Sequence, residues 1–189
     1  MDTKEGTKGF NLKLLVLEDS RHDFELVKEQ LIDAGYVLDL THVDRESDFI
    51  ASLREDKFDI ILSDFNLPGF NAFEALRICN DICPEVPFVC ISGSIGEEVA
   101  TDLLKNGAVD YVLKDRPERL PYAVKRALDE AFEKQAYKKA VKALQESENR
   151  FKQVAENAKE WIWEVDNDGL FTYSSPVVRS IIGYTEEEI

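Results

Sequence analysis

Four short apolar runs in the first two thirds of the chain each end in a polar side chain that can bind a metal ion or a phosphate group. In chain order, these runs end at Glu18-Asp19, Asp64, Ser92 and Lys114. The turn Pro68-Gly69 follows soon after Asp64, so the third run cannot continue far beyond its carboxylate. Because the carboxyl ends of parallel strands meet at one edge of a sheet, this pattern predicts that the acids, the hydroxyl and the lysine lie together.

Strand and helix patterns alternate five times along the chain, which predicts an α/β fold. The predicted strands are 13–18, 37–43, 59–63, 88–92 and 109–113. The predicted helices are 21–34, 45–55, 72–80, 97–105 and a final helix that opens near Pro117. Residues 14–17 are apolar without interruption, which is typical of a parallel sheet with both faces covered. Right-handed crossovers then favour a flavodoxin-like, doubly wound, five-stranded sheet of order 2-1-3-4-5.

The charge and composition of the chain exclude several classes of partner. Its 38 acidic and 23 basic residues give a net charge of −15, so nucleic acids and anionic membranes would repel it. No apolar run approaches the ~20 residues of a membrane helix, and residues 1–10 lack the core of a signal peptide. The cysteines Cys79, Cys83 and Cys90 fit a reducing compartment better than a disulfide framework. These features predict a cytoplasmic protein.

A long helix is predicted over 127–153, which is rich in alanine, glutamate and lysine and has no glycine or proline. A four–three spacing, typical of a coiled-coil seam, connects Tyr137, Val141, Leu144, Glu148 and Phe151. Such a seam would join two copies of the chain in a homodimer. The alternative is a solvated single helix that links two domains, and the sequence leaves both possibilities open.

After residue 160 the pattern changes to that of a β-hairpin. Residues 161–165 and 170–173 are rich in aromatic and apolar side chains, and Gly169 supplies the turn between them. Residues 176–182 then predict a short helix.

The predicted cluster of acids has a chemical consequence. Strands 1 and 3 adjoin at the switch point of the sheet, so Glu18, Asp19 and Asp64 would repel one another. At ~5 Å and an effective dielectric constant of ~20, each pair of carboxylates costs roughly 3 kcal/mol. A hard divalent cation removes this repulsion, and oxygen ligands in a partly hydrated pocket favour Mg²⁺. With Lys114 and Ser92 as donors to the phosphoryl oxygens, Asp64 could act as a nucleophile that forms an acyl phosphate.

From about Lys13 to Leu128 the sequence closely resembles the receiver domain of two-component response regulators. The resemblance rests on Glu18-Asp19, on Asp64 with Leu67-Pro68-Gly69, on Ser92-Gly93 and on Tyr111-Val112-Leu113-Lys114. It implies that Asp64 accepts a phosphoryl group from a histidine kinase or a phosphotransfer protein. Such a domain catalyses only its own phosphoryl transfer and is not otherwise an enzyme.

The resemblance also implies roles for the residues around Asp64. The implied Mg²⁺ ligands are Glu18 (through water), Asp19, Asp64 and the backbone carbonyl of Asn66. Ser92 is the implied switch hydroxyl, and Tyr111 is the aromatic side chain that turns inward when Ser92 moves. Many receivers have Lys-Pro where this chain has Lys114-Asp115. Without the proline, the sequence does not predict the cis peptide bond that is usual at this position.

The last part of the chain is similar to the start of a PAS sensor domain. The shared residues are Asn157-Ala158, Trp163, Asp166, Asp168-Gly169, Ser174-Ser175-Pro176 and Gly183-Tyr184-Thr185. The expected organisation is a disordered segment 1–10, a receiver domain 11–128, a helical linker 129–155 and an incomplete PAS domain 156–189. Receivers joined to PAS domains usually belong to hybrid histidine kinases or cyclic-dinucleotide enzymes, so an output module is expected beyond Ile189.

Other functions fit the same pattern less well. A haloacid-dehalogenase-like phosphatase needs a second aspartate two residues after the nucleophile, where this chain has Asn66. A flavodoxin needs a loop rich in hydroxyls and glycine after strand 1, whereas residues 19–23 are acidic. A degenerate receiver that acts only as an interaction module would be expected to lose Asp64 or Lys114. His22 lacks the Thr-Pro context of a kinase dimerisation helix, and is therefore expected to be a surface residue.

Overall fold

The computed structural model describes residues 10–93, 96–158, 160–185 and 188. The chain divides into two compact units, Met1–Gln135 and Ala136–Ile189. The predicted disordered segment 1–10 lies outside the described residues except for Phe10, at which the first strand begins. Residues 94 and 95, between the predicted strand 88–92 and the predicted helix 97–105, likewise lie outside them.

The first unit alternates strands and helices as the sequence predicts. Its strands are β1 (Phe10–Leu17), β2 (Tyr36–Val43), β3 (Ile60–Asp64), β4 (Asn66–Leu67), β5 (Phe70–Asn71), β6 (Phe88–Ser92) and β7 (Asp110–Leu113). Its helices are α1 (Arg21–Asp33), α2 (Glu46–Glu55), α3 (Ala72–Ile82), α4 (Glu97–Lys105) and the first turns of α5 (Leu120–Ala158). A 3₁₀ turn at Pro117–Arg119 precedes α5, so the final helix begins slightly later than the position of Pro117 suggests.

Five strands form one parallel sheet in the order β2-β1-β3-β6-β7. Because β6 and β7 are the fourth and fifth strands of this sheet, the predicted order 2-1-3-4-5 is confirmed. The short strands β4 and β5 form a separate antiparallel hairpin, where the sequence indicated only a turn. Gly69 in this hairpin has a φ of 89°, a left-handed conformation that glycine adopts without a steric penalty.

Buried apolar side chains cover both faces of the sheet. On one face, Leu15 and Ile61 belong to a core cluster that includes residues of α2, α3 and α4. On the other face, Leu14, Val16 and Leu62 belong to a cluster with α1 and the start of α5. Successive residues of a strand point to opposite faces, so both sets must be apolar. This explains the uninterrupted apolar runs in the sequence.

Side-chain caps fix the helices that follow β1 and β3. The hydroxyl of Ser20 accepts a hydrogen bond from the backbone N–H of Asp23 at the start of α1. At the start of α3, Asn71 and Glu74 form a reciprocal capping box. Caps of this kind each contribute on the order of 1 kcal/mol. They anchor the two chain segments that leave the carboxyl edge of the sheet.

The second unit contains the remainder of α5, a hairpin of β8 (Trp163–Val165) and β9 (Phe171–Ser174), and the short helix α6 (Val178–Ile182). Gly169, with a φ of 83°, lies in the turn of the hairpin as the sequence predicts. The indole N–H of Trp161 donates to the hydroxyl of Ser174 at 3.0 Å. Every side chain of α5 from residue 132 to residue 154 is exposed. Among the described residues, no helix combines the length and apolar character needed to cross a membrane.

Candidate functional site

The register of the sheet brings the four predicted strand ends together. Leu17 of β1 lies opposite Ser63 of β3, so Glu18 and Asp64 follow at the same level. Ser92 ends β6, and it pairs with Leu113 of β7. The next residue, Lys114, donates its backbone N–H to the Ser92 carbonyl oxygen at 2.7 Å. The site residues therefore lie on one edge of the sheet because their strands are neighbours.

Three of the predicted residues form a compact group of acids. Carboxylate oxygens of Glu18, Asp19 and Asp64 all lie within 4.8 Å of one another. Glu18 is 2% exposed and Asp64 is 8% exposed, whereas Asp19 is open to solvent. A group of anionic oxygens that is buried on one side and hydrated on the other matches the preferences of Mg²⁺. The residues present therefore fit the metal that the sequence predicts.

Lys114 reaches into this group from the end of β7. Its ammonium nitrogen lies 2.8 Å from Glu18 Oε2 and 2.9 Å from Asp64 Oδ1. A third carboxylate, that of Asp23 on α1, lies 2.6 Å from the same nitrogen. Asp23 is not among the site residues that the sequence predicts. An acid in the first turn of a helix is common, so Asp23 did not stand out as a functional residue. The only signal in the sequence was the N-cap Ser20, which indicates where that turn begins.

The electrostatic setting of Lys114 keeps it charged. Partial burial acts to lower the pKa of Lys114, but its hydrogen bonds to three carboxylates outweigh this effect. The pKa of Lys114 is therefore raised above its ordinary value of 10.5. Burial raises the pKa of Glu18 above its ordinary value, although Lys114 and the backbone N–H of Ser20 stabilise the charged form. The site thus has one permanent cation against several carboxylates.

Backbone and ring contacts fix the position of Glu18. Its Oε1 accepts the backbone N–H of Ser20 at 3.0 Å, and its own N–H donates to the carbonyl of Val43. Nε2 of His42 lies 2.7 Å from the Glu18 carbonyl oxygen, and the imidazole stacks on the ring of Phe24 with centroids 4.2 Å apart. The sequence predicts His42 only as a residue of the second strand, because an alternating strand pattern does not indicate a contact with the Glu18 carbonyl.

Asp64 is held by both of its carboxylate oxygens. Oδ1 faces Lys114, and Oδ2 accepts the backbone N–H of Asn66 at 3.2 Å. Asn66 is thus beside Asp64, in the position from which its carbonyl was predicted to bind metal. That role of the carbonyl stays a prediction.

The two predicted switch residues lie on the neighbouring strands β6 and β7. Ser92 is 1% exposed at the end of β6. Tyr111 lies opposite Cys90 and is half-buried against the core cluster that contains Leu103 of α4. Their movement on phosphorylation remains a prediction.

Two further expectations concern residues near the site. Among the described residues every peptide bond is trans, including that between Lys114 and Asp115. His22 is exposed on the first turn of α1, as expected for a surface residue.

Comparisons with known proteins match the first unit. The family model described as "Response regulator receiver domain" matches residues 14–125. The transcriptional regulatory protein HprR of Escherichia coli K12 is 28% identical over 103 residues, which are 54% of this chain and 45% of that protein. The chain spans less than half the length of this curated relative.

Two solved structures share the fold. The signal receiver domain of a putative Luxo repressor protein from Vibrio parahaemolyticus is 25% identical, with a TM-score of 0.60, and the match covers 68% of this chain and 98% of that one. The chemotaxis response regulator CheY4 of Vibrio cholerae is 27% identical, with a TM-score of 0.53 and coverage of 62% and 98%.

Proposed function

Because this chain belongs to the response regulator receiver domain family, we propose that it is a phosphorylation-dependent signalling switch in which Asp64 is the phosphoacceptor. The observation that carries the proposal is the 2.9 Å contact between Lys114 Nζ and Asp64 Oδ1 inside a group of carboxylates. A structural ion pair needs one acid for one lysine. This site has an excess of acids, which a divalent metal ion would offset, and its lysine is placed to donate to a phosphoryl group on Asp64.

In the proposed reaction an oxygen of Asp64 forms a bond to phosphorus while the bond between phosphorus and the donor breaks. The electron pair of the broken bond leaves with the donor, which is a histidine nitrogen of a kinase or the acetate of acetyl phosphate. Lys114 and Ser92 donate hydrogen bonds to phosphoryl oxygens as negative charge accumulates on them. The N–H of Asn66 holds the carboxylate of Asp64 in a fixed orientation for attack.

Glu18, Asp19 and Asp64, with the carbonyl of Asn66, are the residues that would hold Mg²⁺. When bound, the ion supplies positive charge that offsets both the carboxylates and the phosphoryl oxygens. By the family resemblance, Glu18, the most deeply buried of the three side chains, would contact the ion through water. Asp19, which faces solvent, provides the hydrated side of the site.

The proposed donor is a cognate histidine kinase or phosphotransfer protein in the cytoplasm. Apart from its own phosphoryl transfer we assign no enzymatic activity to these 189 residues. An output module elsewhere in the protein would deliver the response.

The phosphoacceptor can be tested by mass spectrometry of the intact protein after a pulse of acetyl phosphate with Mg²⁺. The wild type should gain one phosphate, and Asp64→Asn should gain none, because an amide oxygen is too weak a nucleophile. Asp81→Asn, an identical change at an exposed residue of α3, is the matched control and should be labelled like the wild type. Equal labelling of Asp64→Asn and the wild type would end the receiver mechanism at this residue.

We also propose that the signal leaves the receiver through α5. The start of this helix packs on the sheet through Leu120, Val124 and Ala127, and the same helix runs without interruption to Ala158. Movement of Ser92 and inward rotation of Tyr111 would alter the surface formed by α4, β7 and α5. A change there would be transmitted along α5 to a PAS domain that begins near residue 156 and to the output beyond it.

A homodimer through α5 would make this transmission effective. Tyr137, Leu144 and Phe151 of the predicted seam are 73%, 61% and 54% exposed. These three residues are seven apart, and with Val141 and Glu148 between them they give the four–three spacing that suits a second copy of the same helix. A spin label on Lys139→Cys, in a background without Cys83, would report the distance between two copies with and without beryllofluoride, a phosphoryl mimic. Distances that stay constant, or a monomer in both states, would refute this route while leaving phosphorylation of Asp64 untouched.

A further inference from the structure

The ammonium group of Lys114 has no donor left over for a phosphoryl group. It carries three N–H bonds, and three carboxylates surround it at 2.8 Å (Glu18), 2.6 Å (Asp23) and 2.9 Å (Asp64). The shortest of these contacts is the one to Asp23. Lys114 must therefore give up a carboxylate before it can donate to a phosphoryl oxygen.

Asp23 differs from the other two partners of Lys114. Glu18 and Asp64 belong to the group of acids whose oxygens lie within 4.8 Å of one another, together with Asp19, and Asp23 is outside that group. It lies on α1, three residues after the N-cap Ser20, whereas the others follow strands of the sheet. Its backbone N–H donates to the hydroxyl of the N-cap Ser20, whereas its carboxylate accepts a hydrogen bond from Lys114. Asp23 is thus a partner of the lysine without being a candidate ligand of the metal.

We propose that Asp23 is a positioning residue that restrains Lys114 and competes with the phosphoryl group for its ammonium. The inference rests on the proposed function of Asp64. In the free protein, Asp23 holds the lysine at the site and prevents it from folding away into solvent. When the bond between Asp64 and phosphorus forms and the donor departs, the contact between Lys114 and Asp23 breaks and that N–H turns to a phosphoryl oxygen.

Competition for the ammonium predicts tighter binding of a phosphoryl mimic by Asp23→Asn, which keeps the shape of the side chain and an oxygen acceptor for Lys114 but removes the charge. The variant should bind beryllofluoride, in saturating Mg²⁺, with a dissociation constant about tenfold lower than that of the wild type, as loss of ~1.4 kcal/mol of competition would give. Its initial rate of labelling by acetyl phosphate should rise in the same direction. Binding can be followed by titration calorimetry. Unchanged or weaker binding of beryllofluoride by Asp23→Asn would overturn the proposal.

A purely structural role for Asp23 makes a different prediction. An acid in the first turn stabilises a helix through the partial positive charge at its N-terminus, so Asp23→Asn could lower the melting temperature for that reason alone. Such a loss would not tighten the binding of an anion. Asp33→Asn on the same helix is the matched control, because it removes an exposed acid ten residues, or ~15 Å, further along α1. It should leave the affinity for beryllofluoride unchanged.

A double-mutant cycle with Lys114→Met shows whether Asp23 acts through the lysine. In the Lys114→Met background, Asp23→Asn should no longer improve the binding of beryllofluoride, although binding will be weaker overall. A tenfold gain that persists without the lysine would refute competition for the ammonium. Failure of the proposed function looks different, since the wild type would then acquire no phosphate at Asp64 at all.

Discussion

Two lysines of the same sheet lie beside carboxylates, and they illustrate two different uses of an ion pair. Lys13 of β1 contacts Asp56 at 2.7 Å, and the two side chains are 33% and 52% exposed. Lys114, at the carboxyl edge of the sheet, is 23% exposed and contacts three carboxylates. Each lysine thus forms an ion pair at hydrogen-bonding distance, but Lys13 contacts one carboxylate and Lys114 contacts three.

The ammonium of Lys13 contacts one carboxylate at hydrogen-bonding distance. Two further acids lie near it: Asp59 accepts the backbone N–H of Lys13 and so has a partner of its own, and Asp39 is opposite Lys13 in the register of β1 and β2. The ammonium also lies over the ring of Phe58. At the carboxyl edge of the sheet, Lys114 contacts three carboxylates, those of Glu18, Asp23 and Asp64, and a fourth, that of Asp19, lies within 4.8 Å of two of them. An unbalanced, partly buried group of this kind gains stability when further positive charge arrives. The imbalance, and not the presence of a salt bridge, marks the functional edge.

The largest expected difference between the two lysines concerns phosphorylation. Lys114→Met should reduce the initial rate of Asp64 labelling by acetyl phosphate by about 100-fold or more, because it removes a positioned donor to the developing charge. Lys13→Met should be labelled at the rate of the wild type. Mass spectrometry of the intact protein at short times measures both rates. An equal loss in the two variants would mean that the effect comes from the fold, and no loss in Lys114→Met would remove the lysine from the reaction.

The functional edge was largely predictable because it depends on regular patterns. Continuous apolar runs define parallel strands, and the residue after each run must lie at the carboxyl edge of the sheet. Glu18, Asp64, Ser92 and Lys114 were therefore found from position alone, and the order of strands brought them together. The role that each one plays was taken from the family resemblance and still depends on experiment.

Asp23 and His42 could not be found in this way. Whether an acid in the first turn of α1 faces the site depends on the angle at which the helix packs on the sheet. That angle is set by buried residues such as Val27 and Leu31, which contact distant strands. The contact of His42 with the Glu18 carbonyl depends in the same way on the pairing of β1 with β2. Tertiary packing, which local patterns do not encode, decides both contacts.

A second difference between the carboxyl edge and the pair at Lys13 should appear when Mg²⁺ is added or removed. At ~100 times its dissociation constant, the ion should stabilise the folded protein by about 2.7 kcal/mol, which corresponds to several degrees of melting temperature. Asp19→Asn should weaken this effect and yet raise the melting temperature in the absence of metal, because it relieves repulsion among the acids. Asp56→Asn should keep the full response to Mg²⁺ and should not raise the metal-free melting temperature.

Thermal melts with EDTA and with a series of Mg²⁺ concentrations measure these effects. If Asp19→Asn leaves the metal-free melting temperature unchanged or lower, the acids at the carboxyl edge do not repel one another strongly. The contrast between the acids at the carboxyl edge and the pair of Lys13 and Asp56 would then have no electrostatic basis.

The smallest expected effect concerns the pH dependence of stability at Glu18. Burial raises its pKa above the ordinary value of 4.5, so the folded state favours the protonated form more than the unfolded state does. This contribution to stability is fully present below pH 4.5 and is lost as the pH rises through the raised pKa of the folded state. Glu18→Gln cannot ionise and should melt higher than the wild type at pH 7, by about 2 °C. The gap should close as the pH falls below the ordinary pKa, whereas Asp56→Asn at the balanced pair should not melt higher at pH 7. A lower melting temperature for Glu18→Gln at pH 7 would show that the hydrogen bond from Lys114 outweighs the cost of burying the charge.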